Sequence, residues 1–361
     1  MARLGDYVKI KTGKLDANAS SPNGQYPFFT CSVEPLRIDT YSYDCECALV
    51  AGNGDLNVKY YNGKFDAYQR TYIIESNDKI VLSVPYLYCF LDKYVEELRK
   101  QSIGGVIKYI KLGNLTEAQI PMCAIEEQKK IVANLNQVNA LISLRKQQLA
   151  KLDELVKSRF IEMFGDVSTN PYDYPIKNFD EISILITDGE HATPRRTDKG
   201  IYLLSARNIL NHMLQLKDVD YIDEDEYNRI ARRVIPQAGD VLISCSGSIG
   251  RCCVVPDELK FQMVRSAALI RFDKTINPVF AEWLITSDDL QQQIAQSATQ
   301  SSQSNLFQGK IRKLHGYVPP IELQNQFAAF VEQVGKSKLE IQKSLEKLET
   351  LKKALMQKYF G

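Results

Sequence analysis

The sequence has few residues of the kinds that bind metals or catalyse reactions. Its 361 residues include three histidines, and its eight cysteines are scattered without any C-x-x-C pair. Because His191, His212 and His315 lie far from the cysteines in the sequence, we expect no metal site. Cysteines without such a pattern are typical of buried, reduced thiols in a cytoplasmic protein.

Long apolar runs are also absent. No stretch of about 18 apolar residues is present to span a bilayer, and no apolar run follows the first residues. We therefore expect neither a membrane segment nor a signal peptide. The 45 basic and 44 acidic residues give a formal net charge of +1. A nucleic-acid partner remains open, because a binding face can be locally basic on a neutral protein.

Motifs of common enzyme classes are missing as well. The chain has no Walker A motif and no H-E-x-x-H, and G-x-S-x-G does not occur in SCSGSIGRC at 244–252. NPYDY at 170–174 resembles the N-P-P-Y signature of amino-methyltransferases. No glycine-rich cofactor loop accompanies it, which favours a connecting turn. We therefore predict no catalytic residue and no cofactor bound by this chain.

What the chain does contain is an internal repeat. Residues 125–165 and 321–361 align without a gap at an offset of 196, and 13 of the 41 aligned pairs are identical. Each copy comes shortly after a proline, Pro121 or Pro319, and Gly165 occupies the position favoured just past a helix end. The repeat thus predicts two long helices of equal length.

Apolar residues recur in both copies at the three–four spacing of a coiled coil. This spacing predicts that the helices pair antiparallel within the chain; the alternative is that each packs separately on a globular neighbour. Arg145, Arg159, Lys338 and Lys352 interrupt the seams at different heptad positions, which argues against interchangeable halves of a homodimer. The predicted interface residues are Leu135, Val138, Ile142, Leu149, Leu152, Val156, Val331, Val334, Ile341, Leu345, Leu348 and Leu355.

The repeat divides the chain into two globular segments and two spacer helices, in a mixed α/β (α+β) fold. The predicted bounds are 1–120 for the first globular segment, 121–165 for the central helix, 166–318 for the second globular segment and 319–361 for the C-terminal helix. Traces of duplication extend into the globular segments. CALVAGNGD at 47–55 parallels DVLISCSGS at 240–248, and Arg70 falls opposite Arg265.

The order of these parts resembles the specificity subunit of a type I restriction–modification system, along essentially the whole chain. Two departures from that family are Met-Cys-Ala at 122–124, where a proline-rich turn is usual, and SIGGVIKYI at 102–110, where a Thr-Gln-type run is usual. The segments that carry the resemblance are IPMCAIEEQKKIVANL (120–135), VPPIELQNQFAAFV (318–331), GDVLISCSGSIGR (239–251), ATQSSQSNL (298–306) and FIEMFGD (160–166).

The resemblance implies two target-recognition domains on a pseudo-two-fold frame, each reading one half of a bipartite site in double-stranded DNA. It implies that the paired helices set the distance between the domains and dock two methyltransferase (M) subunits. Those subunits would bring S-adenosylmethionine for adenine methylation, and restriction–translocase (R) subunits would use ATP. This chain would supply the address and no catalysis.

Within this scheme, basic, amide and hydroxyl side chains are the candidates for contacts with phosphates and base edges. The SGSIG turn at 246–250 either binds a phosphate oxygen through backbone N–H groups or is a tight turn between strands. Arg70 and Arg265 either face DNA or hold their domains through buried ion pairs. Candidates in the first domain are Lys11, Lys14, Asn53, Lys59 and Arg70. Candidates in the second domain are Arg195, Arg196, Arg207, Ser246, Ser248, Arg251, Gln300, Gln303 and Asn305.

Two other function classes remain open from the sequence. The near-neutral charge is compatible with a non-catalytic scaffold or adaptor that holds protein partners with its helices. A self-sufficient enzyme is disfavoured because the chain lacks a cofactor loop. Binding to DNA weakens steeply as salt rises, because phosphate contacts release counterions, so a salt titration separates a DNA-binding subunit from an adaptor.

Overall fold

The computed structural model describes residues 1–298 and 305–361 of the chain. Unit 1 comprises Met1–Gln147 and Ile341–Gly361, and unit 2 comprises Gln148–Glu340. Each unit contains strands, short helices and part of each long helix, so the mixed α/β class predicted from the sequence is confirmed. In the described part of the chain, no helix is both long and apolar enough to cross a bilayer.

Six strands of unit 1 form one sheet. The strands of this unit are β1 (Ala2–Arg3), β2 (Val8–Thr12), β3 (Tyr26–Phe29), β4 (Leu36–Ile38), β5 (Tyr43–Ala51), β6 (Val58–Ala67), β7 (Thr71–Ser76) and β8 (Gln119–Ile120). The sheet has the order β2-β7-β5-β6-β3-β4, and β1 pairs separately with β8. Helices α1 (Val84–Gln101) and α2 (Leu112–Thr116) follow the sheet in the chain.

Helix α1 begins where its sequence provides a cap. The Ser83 hydroxyl accepts a hydrogen bond from the backbone N–H of Tyr86 at 3.4 Å, and Pro85 stands in the first turn, where its missing N–H costs nothing. Tyr86 and Phe90 lie in one buried cluster with Ala48 and Val50 of β5. The helix therefore covers one face of the sheet.

Unit 2 has two larger sheets and two separate strand pairs. Its strands are β9 (Ile176–Asn178), β10 (Ser183–Asp188), β11 (Ile201–Leu204), β12 (Ile209–Leu210), β13 (Met213–Leu214), β14 (Asp220–Ile222), β15 (Val241–Ser244), β16 (Cys252–Val254), β17 (Phe261–Met263), β18 (Ala267–Phe272) and β19 (His315–Tyr317). The sheets have the orders β10-β18-β15-β16 and β14-β11-β17, while β12 pairs with β13 and β9 with β19.

The two units share the same strand connectivity. In unit 1, β5 lies antiparallel to β7 with Ala51 opposite Thr71. In unit 2, β15 lies antiparallel to β18 with Ser244 opposite Ala267. This register confirms the predicted parallel between CALVAGNGD and DVLISCSGS. It also makes Thr71 of unit 1 equivalent to Ala267 of unit 2, and these positions differ by 196, the offset of the helical repeat.

The units differ where the single sheet of unit 1 becomes two sheets in unit 2. Strand β6 runs without a break and pairs with β5 on one side and β3 on the other. In unit 2 two separate strands make these pairings: β16 pairs with β15, and β17 pairs with β11. The intervening residues include Pro256, which cannot donate to a strand ladder, so the strand is interrupted there.

Two 40-residue helices, α3 (Ile125–Phe164) and α8 (Ile321–Phe360), coincide with the repeat, so both predicted long helices are confirmed. Gly165 adopts a φ of +77° directly after α3, which a glycine tolerates better than other residues, as its helix-ending position predicted. The remaining helices of unit 2 are α4 (Glu224–Ala231), α5 (Pro278–Ile285), α6 (Asp288–Ala298) and α7 (Gln308–Ile311).

In unit 1 the two long helices pair antiparallel. The Asn134 amide donates to the Tyr359 hydroxyl at 3.3 Å, and Lys146 forms an ion pair with Glu349 at 3.5 Å. Residues further along α3 therefore meet residues earlier in α8. Leu135 is buried in one cluster with residues near the end of α8.

In unit 2 the helices pair in the same sense. Asp153 of α3 forms an ion pair with Lys338, and the ring of Phe160 lies 5.3 Å from that of Phe327. Phe164 packs against the same Phe327 ring at 5.5 Å. Antiparallel pairing is thus present within each unit, and the alternative of two helices packed separately is wrong.

The burial of side chains along α3 and α8 follows the predicted seam. All twelve predicted interface residues are buried or half-buried. Other large apolar residues of the two helices are exposed, namely Leu141, Leu144, Leu155, Ile161, Leu339 and Leu351. The helix pair therefore has an inner apolar seam and additional leucines that face outward.

A buried glutamine near the start of each long helix links it to its unit. Gln128 is fully buried; its amide nitrogen donates to the carbonyls of Val81 and Cys123, and its oxygen accepts from the Ser83 N–H. Gln324, the equivalent residue of the repeat, makes the same set of three hydrogen bonds in unit 2. These bonds explain why the repeat keeps glutamine at this position.

Candidate nucleic-acid interface

In both units the turn after a central strand carries a predicted site residue followed by a glycine. These pairs are Asn53-Gly54 after β5 and Ser246-Gly247 after β15. Both glycines have a φ of +68°, the left-handed conformation that favours glycine. The two site residues therefore occupy equivalent positions on equivalent turns.

Each of these residues also pairs with the segment before a short helix. Asn53 forms an antiparallel bridge with Tyr109, and Ser246 forms one with Asn305. Residues 109 and 305 differ by 196, the offset of the helical repeat. The structure thus brings Ser246 and Asn305, which were predicted separately, into direct contact.

A second pair of turns lies beside the first. The backbone N–H of Gln69 donates to Leu15 O at 2.9 Å, and the backbone N–H of Arg265 donates to Glu190 O at 3.0 Å. These equivalent bonds place Arg265 in the position of Gln69. The expected equivalence of Arg70 and Arg265 is therefore wrong by one residue.

Both arginines of these turns are available to a ligand. Arg70 and Arg265 are exposed, and neither forms an ion pair with any residue that the structure describes. The alternative that they hold their domains through buried ion pairs is wrong.

A cleft of about 390 Å³ in unit 2 collects several polar groups. It is lined by Asp188, His191, Ser246, Arg265 and Asn305, among others. Asp188 Oδ1 is buried without a hydrogen-bond partner among the described residues, and burial raises the pKa of this carboxyl group. Hydrogen-bond donors and acceptors thus face one concavity, as reading a base edge requires.

Three of the predicted arginines of the second domain are held by carboxylates. Arg195 pairs with Asp223 at 2.9 Å, and both Arg196 and Arg207 reach Asp220, at 3.0 and 2.8 Å. Burial acts to raise the pKa of Asp220, but hydrogen bonds and charge from the two arginines outweigh it and keep that pKa below its usual value. The positive charge of these three arginines is therefore largely compensated within the protein.

The SGSIG turn is closed by hydrogen bonds to Ser244. The N–H of Gly250 donates to Ser244 O at 3.0 Å, and the N–H of Arg251 donates to Ser244 Oγ at 3.0 Å. The Ser244 hydroxyl in turn donates to the Ser248 carbonyl at 2.6 Å. These bonds favour the tight-turn interpretation, and the side chains of Ser248 and Arg251 remain candidates.

The candidates of unit 1 fall into two groups. Lys11 pairs with Glu75 at 2.7 Å, and that hydrogen bond raises the pKa of Lys11. Lys59 is half-buried, and burial lowers its pKa. Lys14 is exposed at the end of β2. Lys11 and Lys59 therefore serve the domain itself, while Asn53, Arg70 and Lys14 remain accessible.

Two predicted residues, Gln300 and Gln303, lie outside the residues that the structure describes. Sequence reasoning also missed positions that the structure brings to this edge of unit 1. Lys108 and Lys111 are exposed near the Asn53 turn. Lys108 lies on a hairpin whose Gly-Gly pair at 104–105 is a turn signal, and Lys111 follows it.

Comparison with known proteins identifies one family throughout. The family model described as Type I restriction modification DNA specificity domain matches residues 1–154 and 191–353. The chain is 37% identical over 154 residues to the Type I restriction enzyme EcoDI specificity subunit of Escherichia coli, covering 43% of this chain and 34% of that protein. It is 23% identical over 284 residues to the EcoBI specificity subunit of Escherichia coli, covering 69% and 58%. The matches thus span about a third and somewhat over half of these two relatives.

Solved structures with the same fold are also known. The crystal structure of the type I restriction–modification S subunit from M. genitalium matches with a TM-score of 0.66 at 15% identity, covering 100% of this chain and 95% of that one. A chain from a structure titled as the basis of complex assembly and conformational transition of the type I R-M system matches with a TM-score of 0.59 at 15% identity, covering 99% and 96%. At this identity the likeness shows the fold.

Proposed function

The chain belongs to the family of type I restriction–modification DNA specificity domains, and from that membership we propose that it is the non-catalytic, DNA-addressing subunit of a type I restriction–modification assembly. In this role it binds double-stranded DNA and directs adenine methylation and restriction by partner subunits in the cytoplasm. S-adenosylmethionine and ATP belong to those partners.

The observation that carries this proposal is the repetition of one strand connectivity with different side chains at the same turns. Asn53 corresponds to Ser246, Tyr109 to Asn305, and Gln69 to Arg265. Two similar supports with different polar groups suit the reading of two different half-sites, because base edges are distinguished by donors and acceptors. We therefore propose a bipartite site with one half read by each unit.

The long helices provide the remaining functions of such a subunit. A 40-residue α-helix is about 60 Å long at 1.5 Å per residue, which suits a spacer between two reading domains. Exposed leucines such as Leu141, Leu144 and Leu351 offer apolar surface for the helices of a partner. We propose that the helix pair sets the spacing of the half-sites and docks two methyltransferase subunits.

The test is methylation of a random DNA library by the chain together with its methyltransferase subunits. Labelled methyl transfer should concentrate on sequences with two specified blocks separated by an unspecified gap of constant length. The methyltransferase subunits without this chain are the control and should give no sequence preference. Methylation without a bipartite motif, or transfer by this chain alone, would refute the proposal.

A further inference from the structure

A hairpin at residues 102–110 projects from unit 1 beside the Asn53 turn. Ile103 and Tyr109 exchange two backbone hydrogen bonds of 3.0 and 2.8 Å. Gly104 has a φ of +118°, and a Cβ there would lie 2.6 Å from the carbonyl oxygen of Ile107, so the turn requires glycine. The hairpin is therefore a defined structure with Val106 and Ile107 at its tip.

The hairpin is fastened to the end of the sheet. The N–H of Gly54 donates to Lys108 O at 2.9 Å, and the N–H of Ile110 donates to Gly52 O at 2.9 Å. Asn53 bridges to Tyr109 between these two bonds. The hairpin is thus pre-organised against the turn that carries a candidate DNA contact.

The tip of the hairpin is apolar and unusually exposed. Val106 is 104% exposed and Ile107 is 63% exposed, while Ile103 and Tyr109 are 44% and 37% exposed. Adjacent exposed apolar side chains on a rigid loop mark a binding surface more often than isolated ones do.

Three exposed cations lie on the hairpin or beside its base. Lys108, Lys111 and Arg70 are exposed, and none of them forms an ion pair with a residue of the described chain. The neighbouring carboxylate of Asp55 is engaged by Arg99 at 3.2 Å. A complementary ligand therefore carries both negative charge and an apolar group.

The major groove of DNA has this character, because phosphates line it and the thymine 5-methyl is its one apolar base-edge group. Resting on the proposed function, we propose that the hairpin at 102–110 reads thymine in the first half-site. Val106 and Ile107 contact the 5-methyl groups, while Lys108, Lys111 and Arg70 hold the adjacent phosphates. This assigns a specificity role to a segment that departs from the family pattern.

The test replaces each thymine of the first half-site in turn by deoxyuridine, which removes only the methyl group. The complete assembly with its methyltransferase subunits is used, and methylation is measured at limiting enzyme. With the wild-type chain, loss of one contacted methyl should reduce the rate about fourfold at one or two positions. Deoxyuridine in the second half-site should not cause a loss of rate that depends on this hairpin.

The matched variants are Val106→Ala and Ile80→Ala, because Ile80 is also an exposed aliphatic residue of unit 1 but lies outside the hairpin. Val106→Ala should abolish the sensitivity to deoxyuridine at the contacted position, and Ile80→Ala should retain it. The inference is overturned if deoxyuridine has no effect in the first half-site. It is also overturned if Val106→Ala releases the methyltransferase subunits without changing thymine preference, which would indicate a protein contact. A wild-type assembly without any bipartite preference would instead refute the proposed function.

Discussion

We expect replacement of Gln128 or Gln324 by leucine to destabilise the unit that contains it. Each glutamine is fully buried and makes three hydrogen bonds to backbone groups of its own unit. Leucine fills a similar space but leaves one N–H and two carbonyl groups unpaired. The change therefore tests whether these side chains fix each long helix to its neighbours.

The magnitude follows from two opposing effects. A buried backbone group left without a partner costs about 1–3 kcal/mol, and three such groups are affected at each site. Burying the apolar surface of leucine returns about 1.5–3 kcal/mol. We expect the free energy of unfolding to fall by about 2–5 kcal/mol. This is a large part of the roughly 5–15 kcal/mol that is usual for a domain.

The assay is urea denaturation with a local readout. Trp283 is the single tryptophan of the chain and lies in unit 2, so its fluorescence follows the effect of Gln324→Leu. Hydrogen exchange of the amide at Ser83 reports on Gln128→Leu, because that N–H loses its acceptor. The mid-transition concentration and the exchange rate are compared with the unmodified chain.

The controls are Gln137→Leu and Gln333→Leu. These glutamines are also identical in the two copies of the repeat, but both are exposed on their helices. Surface changes of this kind usually alter stability by less than about 0.5 kcal/mol. If Gln324→Leu were no more destabilising than Gln333→Leu, the buried hydrogen bonds would not be what holds α8 to unit 2.

Two further predictions concern DNA binding and the core of unit 2. Arg265→Ala should weaken DNA binding by the assembly and make the slope of log affinity against log salt shallower by about one. Arg195→Ala should have a smaller effect because Asp223 already compensates that charge. Equal effects of the two changes in salt-dependent binding assays would contradict this prediction. Phe164→Ala should lower the unfolding free energy of unit 2 by about 3–5 kcal/mol, because the ring is fully buried among other aromatic rings. An unchanged unfolding curve of Trp283 fluorescence would contradict this prediction.

The long helices could be predicted from the sequence because their signals are local. The three–four spacing of apolar residues and the helix-ending glycine at 165 depend on neighbours within a few turns. The 196-residue offset then predicted the second helix from the first without a further assumption. Antiparallel pairing then followed from two seams of equal length in one chain.

The candidate site was less predictable because charge in a sequence does not show its partner. Arg196 and Arg207 are separated from Asp220 by 24 and 13 residues, and only the folded chain brings them together. Lys11 is likewise paired across the sheet with Glu75, 64 residues away. The residues that remained free, Arg70 among them, could be recognised only after these ion pairs were known.

The two units also show which parts of a duplicated domain must stay alike. Gly54 and Gly247 share one φ value, because a backbone turn of this kind restricts the residue itself. At the neighbouring turn, the backbone bond made by Gln69 and by Arg265 involves only main-chain atoms, so it places no demand on the side chain. A fold held in this way lets side chains at the strand ends differ while their positions are retained. In the proposed role of reading two half-sites, one backbone would therefore address different sequences, and the turns are where substitutions should change specificity without loss of folding.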